Sequence, residues 1–528
     1  MRNKVWGVFF LGSGILIIAA FFFLSNSTQE VKEETKKTLK WYVNFSWFNT
    51  EWGQDIVSKK ISDEIGVDIE FVVPKGNESG KMSSMIHLDT VPDIVTLGWW
   101  EGENQELIEQ DQVYSYQELE EQYQAGFFEV ADEESVQWYT QKDGHLYGYP
   151  NYSFSWKDFE KYQDKVSSHQ NFLVRKDIYE AIGKPDMSTP EGFMEAVKKA
   201  KEMFPEVNGE PLIPIGSDEF TETGSNSFGK WLQNFLAVPY EKNGEYYDRN
   251  TDPEYIRWLK VFRKLGEEGY LNAEVFIDNR TQISEKILDG RYFCLIYQST
   301  DIKNQEKEIY TKEPNKIYMA VEGPRNSKGD DPVLACQGIN GWTTTYISKN
   351  CKYPEKALEL LTYMLSEEGQ KLMYLGEKDT MYHIEDGKEI LNKEVLEVLH
   401  QDRKRYDSIY GADDTYWMMQ SGEMQMQYIS YEPEYFKQLV EWTIPYIAYV
   451  EQYEIYFGDN EEFSNIQNNL NRIWGNTLVD LLLAPNEEEF EKRVNQYKKE
   501  RTTMGYSKFK KAATQIIKQN KEKLGIEE

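Results

Sequence analysis

The chain has 528 residues, more than a single hydrophobic core usually accommodates, so at least two lobes are expected. Its 59 basic and 90 acidic side chains leave a formal charge of −31, which repels phosphate backbones and excludes nucleic acid as a natural partner. With 14 Trp and 36 Tyr, the apolar area is too large for a disordered chain. Cys294, Cys336 and Cys351 form neither a disulfide framework nor a CxxC metal site; one bridge is allowed, and three separate thiols are the simpler expectation. His87, His145, His169, His383 and His400 are scattered without HExxH or HxH spacing, so neither a metal nor another cofactor is expected.

Arg2 and Lys4 precede an uncharged run from Val5 to Leu24, followed by polar Ser25-Asn26-Ser27-Thr28. That order marks an export signal, and its length also suffices to span a bilayer. Residues 1–27 are therefore a signal peptide or a signal anchor. Ser25-x-Ser27 is a weak cleavage match, and the lack of a nearby cysteine excludes a lipobox. Residues 28–37 are charged and aperiodic and form a tether. The rest of the chain is expected on the extracellular face of the cytoplasmic membrane.

From Thr38 the pattern is α/β. Leu39 to Phe45 reads as a strand and Trp47 to Gly53 as a loop. A helix with Ile56, Ile61 and Ile65 on one side follows, then a strand from Val67 to Val73. Alternation of this kind predicts parallel βαβ units, whose ligands sit beyond the carboxyl ends of the strands. Trp47, Phe48, Asn49 and Trp52 fall on such an edge, as do Trp99 and Trp100 after the strand Asp93 to Leu97. A second βα run begins with Phe172-Leu173-Val174 and a helix closed by Gly183. Thr189 and Pro190 then start a helix whose apolar face is Phe193, Ala196, Val197, Ala200 and Phe204. Tyr292 to Tyr297 reads as a buried strand, Pro354 opens another amphipathic helix, and the last ~150 residues are mostly helical by periodicity. Trp231, Trp258 and Trp474 fall in helical patterns and are assigned to the core.

Several ordered motifs carry a family resemblance. They are Val91-Pro92-Asp93-Ile94, Asp143 to Asn151 (DGHLYGYPN), and Leu173 to Asp177 followed by Thr189-Pro190. Gly269 to Glu274, Tyr353 to Ala357, Ser366 to Gln370, Trp474-Gly475 and Lys523 to Gly525 complete the set. Together they resemble the family 1 extracellular solute-binding proteins, in particular the LplA-like branch, over residues 38 to 528. The departures are the missing lipobox cysteine and Gly376 to Tyr382, which only partly follows the family's pattern. The resemblance implies an α/β, two-lobed, periplasmic-binding-protein-like (Venus flytrap) fold with interleaved lobes and a helical C-terminal part. Its implied role is non-catalytic: a substrate-binding subunit of an ABC importer that captures a carbohydrate, such as an oligosaccharide, for a membrane permease. A monomer is expected. The expected lobes are 38–152 (first), 153–295 (second), 296–345 (return to the first) and 346–528 (second lobe and C-terminal helices). A surface-attached carbohydrate-active enzyme or a sensory ectodomain are the alternatives.

The candidate ligand contacts are Trp47, Asn49, Glu51, Trp99, Trp100, Asn151, Tyr152, Gln298 and Trp342. Sugars have apolar C–H faces and polar rims, so flat aromatic walls with a few polar groups suit them. The expected geometry stacks a sugar on Trp47 and on one of Trp99 or Trp100, with Trp342 closing from the other side. Asn49, Glu51, Asn151 and Gln298 supply the hydroxyl rim. Glu118-Glu120-Glu121, Asp413-Asp414 and Glu487 to Glu489 are read as solvated faces, because close pairs arise by chance among 90 acidic residues.

Overall fold

The computed structural model describes residues 36–428, 432–457 and 460–526, so the signal segment 1–27 and most of the tether 28–37 lie outside the described residues. Nine strands build two main sheets: β1 Lys37–Val43, β2 Val67–Val72, β3 Ile94–Gly98, β4 Gly148–Pro150, β5 Gln170–Arg175, β6 Ile213–Ile215, β7 Tyr292–Gln298, β8 Tyr318–Ala320 and β9 Thr343–Ile347. The first sheet has the order β2-β1-β3-β9-β4 and the second β8-β5-β7-β6. In the first, β1 runs parallel to β2 and β3, while β9 is antiparallel to β3 and β4. In the second, β5 is antiparallel to β7 and β8, and β6 is parallel to β7. β3 and β9 are buried along their whole length, as strands covered on both faces by helices must be.

Local sequence accounts for the helices around these sheets. Asp55 caps Ile56–Ile65 by accepting from the Ser58 amide at 2.8 Å, and Thr189 caps Pro190–Met203 with proline in the first turn. The apolar face of Pro190–Met203 enters the core of the second lobe beside Phe172, Trp258 and Tyr292. Trp231, Trp258 and Trp474 are all buried there. Asp93 accepts from the backbone amides of Lys40 and Lys352 and so ties the entry of β3 to its neighbours. Arg175 grips Asp177 with two bonds of 2.9 Å and also donates to the Gly290 carbonyl, which makes that motif part of the scaffold. All three cysteines are free.

The lobe assignment of the later chain differs from expectation. Tyr318 to Ala320 pair with β5, so residues 296 to 334 stay in the second lobe instead of returning to the first. The helix Pro354–Leu365 packs against Leu39, Trp41 and Val57 in the first-lobe core, together with Met373 and Trp417 to Met419. Helical periodicity reports that a face is apolar and not which sheet covers it, and residues 346 to 419 belong to the first lobe, not to the second as expected. The C-terminal helices Glu461–Leu482, Glu487–Thr503 and Tyr506–Leu524 do lie with the second lobe, where Trp474, Leu478 and Leu481 share its core.

Among the described residues, the chain crosses between the lobes near residues 151–169 and 335–342, and it is in the second lobe again by the helix Glu434–Thr443. The two crossings are stitched together: Phe154 N donates to Gly338 O at 3.0 Å, Ser153 Oγ to Ile339 O at 2.7 Å, and Ser168 Oγ to Ala335 O at 2.6 Å. Gly341 sits at φ +61°, and a Cβ there would lie 1.9 Å from the Asn151 carbonyl oxygen. Only glycine permits both this turn and this approach.

Candidate functional site

Connectivity locates the cleft. The chain leaves the first sheet at Asn151 and enters the second at Gln170; it returns from Leu334 to Trp342, directly before β9. The carboxyl edge of β1 and β3 thus faces the edge of the second sheet that carries Gln170 and Gln298, whose Cα positions are paired. The crossings form the floor between them. Away from the floor, Lys307 Nζ of the second lobe reaches Gln401 O of the first at 2.8 Å.

The β1 loop shows how the sequence aims one ring outward. Phe48 and Trp52 fold back and are buried, with Trp52 Nε1 donating to Ser62 Oγ at 2.8 Å. Tyr416 donates to Glu51 O at 2.9 Å and to Asp55 Oδ2 at 2.5 Å, which pins the loop to the first lobe. Trp47 is left 58 % exposed. Its ring lies nearly parallel to Trp342, with centroids 5.9 Å apart, and Trp342 in turn stacks on Phe45 at 5.1 Å. Trp417, buried beneath, contacts Trp47 at 6.1 Å and Trp342 at 4.6 Å. The result is one continuous aromatic wall on the first lobe.

This corrects the expected sandwich. Trp342 belongs to the same wall as Trp47 and does not close on it from across the cleft, because it precedes β9 of the same sheet. Phe48 and Trp52 likewise brace the loop from within instead of lining the edge. Trp99 and Trp100 meet edge to face at 6.2 Å beside this wall, and the Trp99 amide donates to Trp342 O at 3.3 Å. Trp100 is 54 % exposed and covers Gly98. Asn49 and Glu51 have exposed side chains on the β1 loop.

Asn151 takes a different role from the one its position suggested. It is fully buried; its Oδ1 accepts from the Thr343 amide at 2.7 Å and the Trp342 amide at 3.3 Å, and its Nδ2 donates to Trp417 O at 3.0 Å. It holds two wall tryptophans in place and offers no free edge to a hydroxyl. Tyr152 has a positive φ of 47°, sparsely populated for a bulky residue. Gln420 holds it there by accepting two bonds: Gln420 O from the Tyr152 amide and Gln420 Oε1 from its hydroxyl, both at 2.6 Å. Gln298 is on the opposite sheet edge, half-buried, with Nε2 donating to Thr300 Oγ1 at 2.9 Å.

Sequence patterns also missed a charged lip. Asp413 and Asp414 are not a free solvated pair: Arg403 bonds Asp407 at 2.6 Å, Asp413 at 2.6 Å, and Asp414. Their side chains stay 45 % and 60 % exposed, beside the crossing residues Tyr152 and Gln420, whose Nε2 donates to the Asp413 carbonyl. Burial and the adjacent Asp414 charge push Asp413 up to about 6. Burial also acts upward on Asp414, but Arg403, and Lys303 from the second lobe, outweigh it and hold that carboxyl below its ordinary range. Lys303 itself pairs with Glu432 at 2.9 Å. Beside Trp100, burial raises Glu101, which accepts from Asn44 Nδ2 at 2.5 Å. Phe45 was read as the last residue of a strand, although β1 ends at Val43, and Trp417 and Arg403 escaped the sequence reading because neither follows a strand that marks an edge. Among the described residues, no group of three or more His, Cys, Asp or Glu could hold a metal ion.

The profile of the bacterial extracellular solute-binding proteins matches residues 66–382, more than half of the chain. The chain belongs to this family. Among curated relatives, this solute-binding protein is 25 % identical to the lipoprotein LipO of Bacillus subtilis (strain 168), over 41 % of this chain and 44 % of that one. It is 23 % identical to the polygalacturonan/rhamnogalacturonan-binding protein YtcQ of the same organism, over 38 % of this chain and 37 % of that one. The matches thus span less than half the length of either relative. Its fold matches that of the S. pneumoniae ABC-transporter substrate-binding protein FusA in complex with kestose, with a TM-score of 0.65, 16 % identity, and coverage of 92 % of this chain and 100 % of that one.

Proposed function

We propose that this chain is the substrate-binding subunit of an ABC importer, and that it captures a carbohydrate between its lobes and passes it unaltered to a membrane permease. The observation that carries the reading is the Trp47–Trp342–Phe45 wall, partly exposed and opposed by the polar edge around Gln298 and Lys303. An aromatic face matches the C–H face of a pyranose, and the surrounding amides and charged groups match its hydroxyl rim. The names of YtcQ and FusA, which refer to glycans and to an ABC transporter, support the same reading. Closure would be driven by a ligand that touches both lobes.

A glycosidase reading is less well supported. A retaining enzyme sets two carboxyl groups ~5 Å apart across the sugar, one of them a free acid. Asp413 and Asp414 share Arg403 instead, and Glu101 is tied to Asn44. Residues 1–27 would keep the working protein, as a monomer, on the outer face of the cytoplasmic membrane, since a diffusing receptor would be lost from a cell without an outer membrane. The test is incubation of the full chain in mild detergent with an oligosaccharide panel, followed by mass spectrometry of the glycan. Binding with intact recovery is expected; turnover would make the protein an enzyme. Mass spectrometry of the native protein checks the anchor, which a mature amino terminus near Thr28 in a soluble fraction would rule out.

A further inference from the structure

The charges around the cleft indicate which sugars it takes. On the first-lobe lip, Arg403 is shared among Asp407, Asp413 and Asp414, so one cation faces three carboxylates. On the second-lobe lip, Lys303 pairs with Glu432, and Arg280 pairs with Asp301. Asp218 lies close enough to Asp301 to oppose its ionisation further. At the aromatic wall itself, Glu51 is exposed on the loop of Trp47, and Glu101 stands next to Trp100. The wall has no cation of its own among these groups. Desolvation by the surrounding protein holds His169, beside the crossing, below its ordinary range.

A uronate needs unengaged Arg or Lys to accept each carboxylate, since transferring an unpaired anion into a partly desolvated site is costly. Here Arg403, Lys303 and Arg280 each already carry at least one carboxylate, and Lys307, which bridges the lobes away from the floor, is bonded to the Gln401 carbonyl. The excess is negative, in a concave site where low-dielectric walls strengthen the field. Hydroxyl groups meet no such penalty, because they donate to carboxylates and stack their C–H faces on Trp47.

We propose that the cleft takes glycans that carry no acidic groups, neutral oligosaccharides, and rejects oligouronates. This rests on the sugar-binding reading above and narrows it. It separates this chain from YtcQ, whose name specifies polygalacturonan and rhamnogalacturonan.

The experiment is calorimetry and thermal shift on the full chain at pH 7, in about 20 mM and 200 mM salt, with mannotriose, xylotriose, cellotriose and kestose set against trigalacturonate and trimannuronate. At least one neutral trisaccharide is expected to bind, with both uronates at least about tenfold weaker and weakest at low salt, where repulsion is least screened. In Asp414→Asn, which removes one negative charge beside Arg403, the affinity for trigalacturonate relative to the neutral ligand should rise about threefold to tenfold. A uronate that binds as tightly as the best neutral sugar overturns the inference and leaves the sugar-binding reading intact. An unchanged ratio in Asp414→Asn also counts against it. Failure of all six glycans sinks the sugar-binding reading, and the inference with it.

Discussion

Trp47 lies 14° from parallel to Trp342, with ring centroids 5.9 Å apart, although 295 residues of sequence separate them (342 − 47). The pair is offset and in mutual contact, so it presents one broad surface and not a slot.

The exposed and the buried rings of this wall should therefore behave differently. Trp47→Ala removes a ring that is 58 % exposed, so glycan affinity should fall by about 1–2 kcal/mol while the melting temperature stays close to wild type. Trp417→Ala empties a buried site under the wall and should destabilise the fold by about 3–5 kcal/mol. Calorimetry alongside melting curves separates the two. Equal melting temperatures for both variants would contradict the assignment of Trp417 as the base of the wall.

Asn151 links the floor to the wall through the Trp342 and Thr343 amides and the Trp417 carbonyl. Asn151→Ala takes the side-chain acceptor from the buried Thr343 amide and leaves the Trp342 amide and the Trp417 carbonyl with only their backbone bonds, which costs about 1–3 kcal/mol. Asn151→Asp keeps the acceptor but buries a charge and loses the donor to Trp417, so it should be no better tolerated. Asn151→Ala should also weaken glycan binding, because the Trp342 amide loses its side-chain acceptor. Denaturant titration of the two variants checks the order.

Glu306 predicts a pH dependence of stability in the second lobe. It is fully buried; one oxygen accepts from the Tyr318 amide at 2.9 Å, and Oε2 has no partner among the described residues. Burial pushes its carboxyl up to about 8. The folded state thus holds this proton more tightly than the unfolded chain, whose carboxyl titrates near its ordinary value. Its contribution is complete below pH ~4.5 and is lost as pH rises through about 8, on the order of 5 kcal/mol in all. Glu306→Gln, which cannot ionise, should be more stable than wild type above pH 8 and show a flatter profile. Chemical denaturation at pH 6 and pH 9 tests this; a wild-type slope in Glu306→Gln would contradict it.

The parts of this molecule that were legible in the sequence are those set by local rules. Leu39 to Phe45, Val67 to Val73 and Tyr292 to Tyr297 are strands within one or two residues of their expected ends, and Thr189-Pro190 starts a helix as written. The position of Trp47 and Trp342 at a sheet edge was legible because each adjoins a strand end. Phe48 and Trp52, only a few residues from Trp47, were misassigned: whether a loop ring turns out or in depends on distant partners such as Ser62 and Tyr416. Trp417 and Arg403 reach the site through tertiary packing alone. The lobe membership of Tyr318 to Ala320 and Pro354–Leu365 was illegible for a related reason, since pairing with β5 or packing on β1 leaves no local trace.

The most direct measurement is a crystal structure of the protein with the neutral trisaccharide that binds best. A sugar ring should lie against the exposed face of Trp47, within the Trp47–Trp342 wall, with groups near Gln298 and Lys303 closing on its hydroxyls. A glycan bound elsewhere, or one in this cleft that leaves Trp47 in solvent, would contradict the account.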